Sequence, residues 1–355
     1  MEQTVKKIAV AMSGGVDSSV AAFLLKQKGY DVFGVFAKFW AEEEGEKVRE
    51  NVCCSKEARD DAKRVCDKLG IPFYTVNLES PFKEKVVDNF LLEYNEGQTP
   101  NPCVRCNQFI KFGQLLEKAE KLGASHLATG HYAQIKQAGD QFSLIRGKDK
   151  EKDQSYFLYR LNQKQLSRIL FPVGHLKKKK VRKIAEKNNL ATASKKESQE
   201  VCFVPSGDLQ DFLARYLDLK PGEIKDIDSK KVLGEHKGLA MYTIGQRKGI
   251  GLADGPYFVV RLDKENNVLW VTKNAEHSQL KLESLRLKNI HWINNVDLPV
   301  KATAKIRYGS PETSVLISKQ DDQYLIKFKK SQWAVTPGQS IVFWKGKEVL
   351  GGSVI

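Results

Sequence analysis

Residues 8–20, Ile-Ala-Val-Ala-Met-Ser-Gly-Gly-Val-Asp-Ser-Ser-Val, constrain this chain more than any other stretch. An apolar run of strand character reaches Ala11 and Met12 and breaks at Ser13-Gly14-Gly15. Helical spacing through Val20, Ala21, Leu24 and Leu25 then takes over. Paired glycines allow positive φ and let backbone come close to a ligand. The helix start behind them, from about Asp17, leaves orphan amide donors and a positive dipole end. Ser13, Ser18 and Ser19 add hydroxyls, completing an anion cradle of phosphate size. The lysine of G-x-x-x-x-G-K-[ST] is missing and the glycines are not spaced as G-x-G-x-x-G, which excludes two common phosphate loops. Asp17 is odd beside a phosphate. Either it caps the helix, or it faces the phosphates across a Mg²⁺ ion that inverts the local charge logic.

Residues 31–39, 72–78 and 126–133 read as further strands. Residues 55–69 (stopped by Gly70), 82–94 and 109–122 read as helices, and the charged stretch 42–50 as an exposed loop. This alternation predicts an α/β fold with a doubly wound, mainly parallel sheet. Ligands of such sheets sit outside the carboxyl ends of the strands, where residues 13–19, Ala37, Gly130 and His131 fall. Beyond Pro205 the texture changes. A helix over 208–217 gives way to glycine-rich turns at 244–251, and from 281 short alternating runs predict a small antiparallel β-barrel with Trp333 and Trp344 in its core. The expected parts are a nucleotide-binding domain (1–205), a small central domain (206–280) and a C-terminal barrel (281–355).

A formal charge of +15 favours a polyanionic partner. No apolar run reaches transmembrane length and no secretory h-region opens the chain, so cytoplasmic residence without a membrane partner is expected. All six cysteines (Cys53, Cys54, Cys66, Cys103, Cys106 and Cys202) lie in the first 202 residues, a pattern of thiol chemistry or metal ligation rather than of a disulfide scaffold. Residues 99–107 read Thr-Pro-Asn-Pro-Cys-Val-Arg-Cys-Asn. Two prolines hold this segment extended and turned ahead of a helix, placing Cys103 and Cys106 near a helix start beside Arg105, and both features lower a thiol pKa. One C-x-x-C supplies only two of the four ligands of a structural zinc. Cys202 lies between Val201 and Phe203, which suits a buried inert cysteine as well as a reactive one. Cys66 falls on the apolar face of its helix and reads as core, and Cys53 and Cys54 read as incidental. The basic run 177–180, with Arg182 and Lys183, reads as phosphate contacts, against the alternative of a solvated helix face.

Ser-Gly-Gly-x-Asp-Ser-Ser after a strand resembles the loop of the PP-loop enzymes, adenine nucleotide α-hydrolase-like domains that split ATP and adenylate an oxygen of their substrate. The chain as a whole resembles the tRNA-specific 2-thiouridylase family of the MnmA type. The matches are residues 11–19, T-P-N-P-x-x-x-C-N at 99–107, Thr-Gly-His-Tyr at 129–132, residues 152–157, 171–174 and 201–203, Gly-Gln-Arg-Lys-Gly at 245–249 and Thr-Pro-Gly-Gln at 336–339. The resemblance implies adenylation of the C2 oxygen of a wobble uridine in tRNA, with ATP and Mg²⁺, followed by displacement of AMP by sulfur. It assigns ATP to Ala11, Met12, Ser13, Gly14, Gly15, Val16, Asp17, Ser18, Ala37 and Gly130. It assigns tRNA, and not DNA, to Asn101, Pro102, Cys103, His131, Lys152, Asp153, Gln154, Arg307, Tyr308 and Gln339. Cys202 would carry a persulfide supplied by a sulfur-donating protein, and Cys106 would attack it and leave a Cys106–Cys202 disulfide; Asp17 and Cys103 complete the expected catalytic set. Many members have Asp where this chain has Cys103, so the carboxylate base of that position is missing here. Cys103, Cys106 and Cys202 also form a possible three-thiolate set for a [4Fe–4S] cluster with one open iron that binds sulfide. Two rival readings are a PP-loop enzyme that installs nitrogen, and a non-catalytic RNA-binding or sulfur-carrier protein.

Overall fold

The computed structural model describes residues 6–44, 47–49, 55–195, 201–204 and 209–355; Cys53 and Cys54 lie outside the described residues. At the centre of the first sheet is β1 (Lys7–Ala11), which leads through the glycine turn into α1 (Val16–Gln27) and on to β2 (Asp31–Lys38). The strand order is Phe73–Asn77, β2, β1, His126–Ala128, Ile169–Leu170, all parallel. Ile8, Ala9 and Val10 are fully buried, as a strand covered on both faces requires. The chain winds outward from β1 to one edge and then returns to the other side of β1. The crevice between the ends of β1 and His126–Ala128 is therefore the switch point at which such a sheet takes its ligand.

Helix Lys56–Leu69 runs from a Ser55 cap, whose hydroxyl accepts the Ala58 N–H at 3.1 Å, to Gly70 at φ +60°. Its buried stripe holds Cys66, fully enclosed, where burial pushes the thiol up to about 12. That thiol is packing, not chemistry. The expected helix over 109–122 is longer and less regular: Pro102–Arg105 is α-helical, Cys106–Gln114 is π-helical and Leu115–Lys121 is α-helical again.

Three expectations change. The stretch 126–133 is not one strand: His126–Ala128 belongs to the parallel sheet, and Ala133–Ala138 starts a hairpin with Gln141–Arg146 in another sheet. The stretch 42–50 is not simply an exposed loop. Glu42–Glu44 pairs with Lys47–Arg49, and Glu42 is buried against Arg215, which forms two hydrogen bonds to its carboxylate at 2.8 and 2.9 Å. Trp344, 1% exposed, packs with the core of the first domain rather than with the barrel interior. Its ring lies 4.3 Å from the Arg146 guanidinium and its Nε1–H reaches Ser155 Oγ at 3.3 Å.

The central part is a four-stranded sheet in the order Val232–His236, Gly222–Asp226, Val268–Thr272, Phe258–Asp263. The last part is antiparallel, in the order Lys281–Leu287, Gln323–Trp333, Thr313–Gln320, Val300–Lys305, Ser340–Lys345, Glu348–Val354. The Ala133–Arg146 hairpin continues this same sheet through Ile145 opposite Glu348. The junction is reinforced by Arg146 N–H to Lys347 O (2.9 Å) and by Ser143 Oγ–H to Glu348 Oε1 (2.6 Å).

Candidate active site

Beyond β1 the Met12 N–H still bonds to Val35 O of β2 at 2.8 Å. The chain then turns at Gly14, φ +68°, so close to the neighbouring helix that a Cβ would sit 2.2 Å from the Ala58 carbonyl oxygen. Only glycine fits that turn. The Ser13 N–H reaches Ser18 Oγ (3.3 Å), and the Ser18 hydroxyl donates to Gly15 O (3.0 Å), folding the loop onto the first turn of α1. No side chain caps α1, so its leading N–H groups face the crevice in front of the loop. Ser19 is not part of this cradle: it is fully buried, donates to Gly15 O (2.9 Å) and accepts from Thr192 (2.9 Å).

Asp17 neither caps the helix nor stands alone. The Tyr132 hydroxyl donates to its Oδ1 at 2.6 Å, and the Lys178 ammonium reaches Oδ1 and Oδ2 at 2.8 and 2.7 Å. Lys178 is itself buried, 8% exposed, and its N–H is held by Asp149 Oδ2 (2.8 Å) at the start of helix Lys178–Lys187. The basic run therefore divides. Lys177, Lys179, Lys180 and Lys183 are exposed, whereas Lys178 turns inward to the loop and Arg182 bonds to the Ala193 and Lys195 carbonyls. Sequence reasoning missed Lys178 because four consecutive lysines look alike until a helix phase is known. Mg²⁺ commonly binds through one or two carboxylates plus substrate phosphates. Asp17 suits that use, since the described residues take three of its four lone-pair sites.

Ala37 lies at the end of β2, with Gly130 against the first turn of α1, a Cβ there falling 2.7 Å from Ser18 N. The His131 imidazole sits between the rings of Phe112 and Phe171, centroids 5.7 and 5.9 Å away, with Nδ1 2.7 Å from Thr129 Oγ1. Desolvation, and then the Lys111 charge, push its pKa well below the ordinary imidazole value, so it meets a partner as a neutral ring. The sign of the resulting pH dependence follows. The unfolded imidazole takes up a proton below about pH 6.5 and the folded one refuses it, so stability is complete above that pH and lost as pH falls. Urea melts between pH 7.5 and 5 should show this loss, and a His131→Asn variant should show a shallower slope.

Asn101 caps Pro102–Arg105 through Oδ1 to Val104 N–H (3.4 Å), with Pro102 at the first helical position. Cys103 is exposed, and Cys106, 7% exposed, opens the π-helical stretch. π turns are rare and recur at functional sites. The Arg105 guanidinium stacks over Phe109 (5.1 Å), and its Nε–H donates to Lys85 O (2.9 Å). Cys202 is half-buried. Its neighbour Phe203 is anchored in a cage of Phe82, Phe90 and Phe212 at 5.7, 5.1 and 5.9 Å. Cys106 and Ala37 lie in one buried apolar cluster, and Cys202 and Ala11 pack against it. None of the four described cysteines is in a disulfide. Among the described residues no three His, Cys, Asp or Glu side chains converge as a metal-ligand set.

The residues expected to meet tRNA divide as well. Asp153 accepts from Gly147 N–H, Ser155 N–H and Ser155 Oγ–H, and Gln154 Oε1 accepts the Tyr132 N–H (3.0 Å), so both shape the loop that leads to Tyr132. Tyr308, 39% exposed, lies with its ring 4.5 Å from Phe157 and 5.8 Å from Tyr156. Lys152 and Asp153 are close enough to influence its ionisation, so the Arg307-Tyr308 pair and residues 152–154 share one face. Arg307 lies 5.9 Å from the Trp333 ring. Asn107, next to Cys106, donates to Phe157 O (3.1 Å) and leaves a buried Oδ1 without a hydrogen bond. The Gln339 amide turns inward, to Thr99 O at 2.9 Å.

The family descriptions that match are the tRNA methyl transferase HUP domain over residues 6–206, the tRNA methyl transferase PRC-barrel domain over 210–273 and the aminomethyltransferase beta-barrel domain over 282–355. The chain is 47% identical to the tRNA-specific 2-thiouridylase MnmA of Halalkalibacterium halodurans, covering 100% of this chain and 95% of that protein. It is 47% identical to the MnmA of Alkaliphilus oremlandii (98% and 96% covered) and 49% identical to MnmA 1 of Caldanaerobacter subterraneus subsp. tengcongensis (98% and 97%). The domain descriptions mention methyl transfer, but identity along the whole length of both chains is the stronger criterion. This chain belongs to the tRNA-specific 2-thiouridylase MnmA family.

Proposed function

We propose that this protein is a tRNA-uridine 2-sulfurtransferase that adenylates C2 of the wobble uridine with ATP and replaces the oxygen with sulfur. The observation that carries the reading is identity of 47 to 49% to tRNA-specific 2-thiouridylases along the whole chain; Cys106 lies in the apolar cluster behind the sheet and Cys202 packs against it. A uracil carbonyl oxygen leaves poorly, so it is first converted to an adenylate. The α1 amides with Gly14 and Gly15 hold the phosphates, Lys178 orients Asp17 beside them, and Asp17 would hold Mg²⁺, which when bound would neutralise phosphate charge. A partner protein delivers sulfur to Cys202 as a persulfide. The Cys106 thiolate attacks Cys202 Sγ, the S–S bond of the persulfide breaks and hydrosulfide departs. Hydrosulfide adds to C2, AMP leaves with the former uridine oxygen, and a Cys106–Cys202 disulfide remains for a thiol reductant to reopen with two electrons.

We place the uridine between the Asn101–Cys106 loop and His131, and the tRNA across the face shared by Lys152, Phe157, Arg307 and Tyr308. Mass spectrometry of tRNA nucleosides after incubation with ATP, Mg²⁺ and a persulfide donor tests the reading, which predicts a sulfur-for-oxygen mass change at one uridine. No such change under aerobic or anaerobic conditions would refute it. Tyr308→Ala should weaken tRNA binding by about 1–3 kcal/mol, the range of one lost base stack, with an unchanged salt slope. Arg307→Ala should lower the slope by about one. Filter binding at several salt concentrations separates the two.

A further inference from the structure

The segment that leads to Cys106 and two further motifs meet at one point. The Thr99 N–H donates to Pro337 O (2.8 Å), Thr99 O accepts from Gln339 Nε2 (2.9 Å), and Thr99 Oγ1 is 2.9 Å from Thr243 Oγ1. Thr99 is thus gripped by the Thr-Pro-Gly-Gln turn of the barrel and by Thr243, just before Gly-Gln-Arg-Lys-Gly. The grip has no room to slip. Gly338, φ +88°, lies so near that a Cβ would sit 2.8 Å from Thr99 N, and Gly245 packs where a Cβ would meet Ala334 Cβ at 2.5 Å. The barrel turn is itself fixed, through Gly338 N–H to Ile355 O (3.0 Å) and Ile355 N–H to Gln339 O (2.8 Å). The Gln246 side chain holds the Thr243 N–H (3.0 Å).

What Thr99 controls is the start of the cysteine helix. Pro100 and Pro102 have restricted φ, and Asn101 is committed as the cap. Few soft dihedrals therefore separate Thr99 from Cys103 and Cys106. We propose that Gln339 is a positioning residue for the thiol loop: with Pro337 and Thr243 it sets the register of Asn101–Cys106, so that tRNA seated on the barrel fixes the geometry of the thiols. This rests on the sulfurtransferase reading for its functional arm only. It differs from a direct tRNA contact by Gln339, because the amide NH2 is turned to the Thr99 and Pro100 carbonyls, at 2.9 and 3.5 Å.

The experiment compares Gln339→Ala and Gln339→Glu, which both lack the donor, with Thr243→Val, which keeps shape and loses the hydroxyl. Alkylation of Cys106 by iodoacetamide is mapped by mass spectrometry on the protein alone, without ATP or tRNA, so it stands whether or not thiolation is the activity. Cys106 is buried in the wild type, and loosening the grip should speed its alkylation severalfold in all three variants with an unchanged far-ultraviolet spectrum. With tRNA, turnover at saturating substrate should fall at least ~10-fold, because small displacements of reacting groups are costly. The tRNA Kd and its salt slope should hold within about twofold. Unchanged Cys106 alkylation, or a Kd weakened about tenfold at unchanged turnover, would overturn the proposal and return Gln339 to the tRNA surface. If wild type shows no thiolation while alkylation still rises in the variants, the functional reading fails and the positioning role stands.

Discussion

A Cys202→Ser variant is expected to keep releasing pyrophosphate from ATP in the presence of tRNA while its yield of 2-thiouridine falls by about 10³-fold or more. Adenylation of the uridine oxygen uses the phosphate cradle and needs no thiol, whereas a serine oxygen cannot carry a persulfide. Losses of this size are ordinary when a covalent nucleophile is removed. The fold makes the experiment clean. Serine is nearly isosteric with cysteine, and the segment is anchored by Phe203 in its aromatic cage rather than by Cys202. Pyrophosphate release and nucleoside mass spectrometry on the same reaction read the two halves separately. Parallel loss of both would make Cys202 a structural residue, and full retention of 2-thiouridine would mean that sulfur reaches the uridine without a persulfide on Cys202.

Lys178→Met should have the second largest effect, lowering kcat/KM for ATP by roughly 10–100-fold and reducing Tm. The loop carries no lysine of its own, so the fold brings one to Asp17 from 161 residues away. Removing it leaves a carboxylate beside incoming phosphates with the Tyr132 hydroxyl still on it. Breaking a buried ion pair costs about 3–5 kcal/mol and an exposed one about 0–1. With side-chain exposures of 11% for Lys178 and 30% for Asp17, about 1–3 kcal/mol is expected, or one to two decades in rate or affinity. A double-mutant cycle with Asp17→Asn gives the check. If the pair acts as a unit, the double variant is no worse than the poorer single one; additive losses would mean that Lys178 serves the protein elsewhere.

The sequence was most legible where local rules decide structure. Gly14 at positive φ, the Gly70 stop and the buried Cys66 all follow from residues within one or two turns of each other. It was least legible where partners are remote. Glu42 looks solvated until Arg215 closes on it. One strand over 126–133 looks continuous because nothing near it announces that Ala133–Ala138 belongs to another sheet. Trp344 reads as barrel core by alternation, yet Arg146 and Ser155 receive it at a seam. The same holds in the site. The phosphate loop could be recognised from its own residues, but the choice of Lys178 among four lysines, and the inward turn of Gln339, depend on contacts across 161 and 240 residues of chain. The π-helical run at Cys106–Gln114 has the apolar spacing of an α-helix, so periodicity alone does not announce it.

The hairpin Ala133–Arg146 belongs by sequence to the nucleotide-binding part and by hydrogen bonding to the barrel's sheet. Grafting the barrel of a relative onto this chain would therefore transplant only part of a sheet, and the recipient's Ile145 would have to match a foreign Glu348. A working chimaera would have to carry the hairpin along with the barrel, so the natural unit of exchange in this protein is discontinuous in the gene.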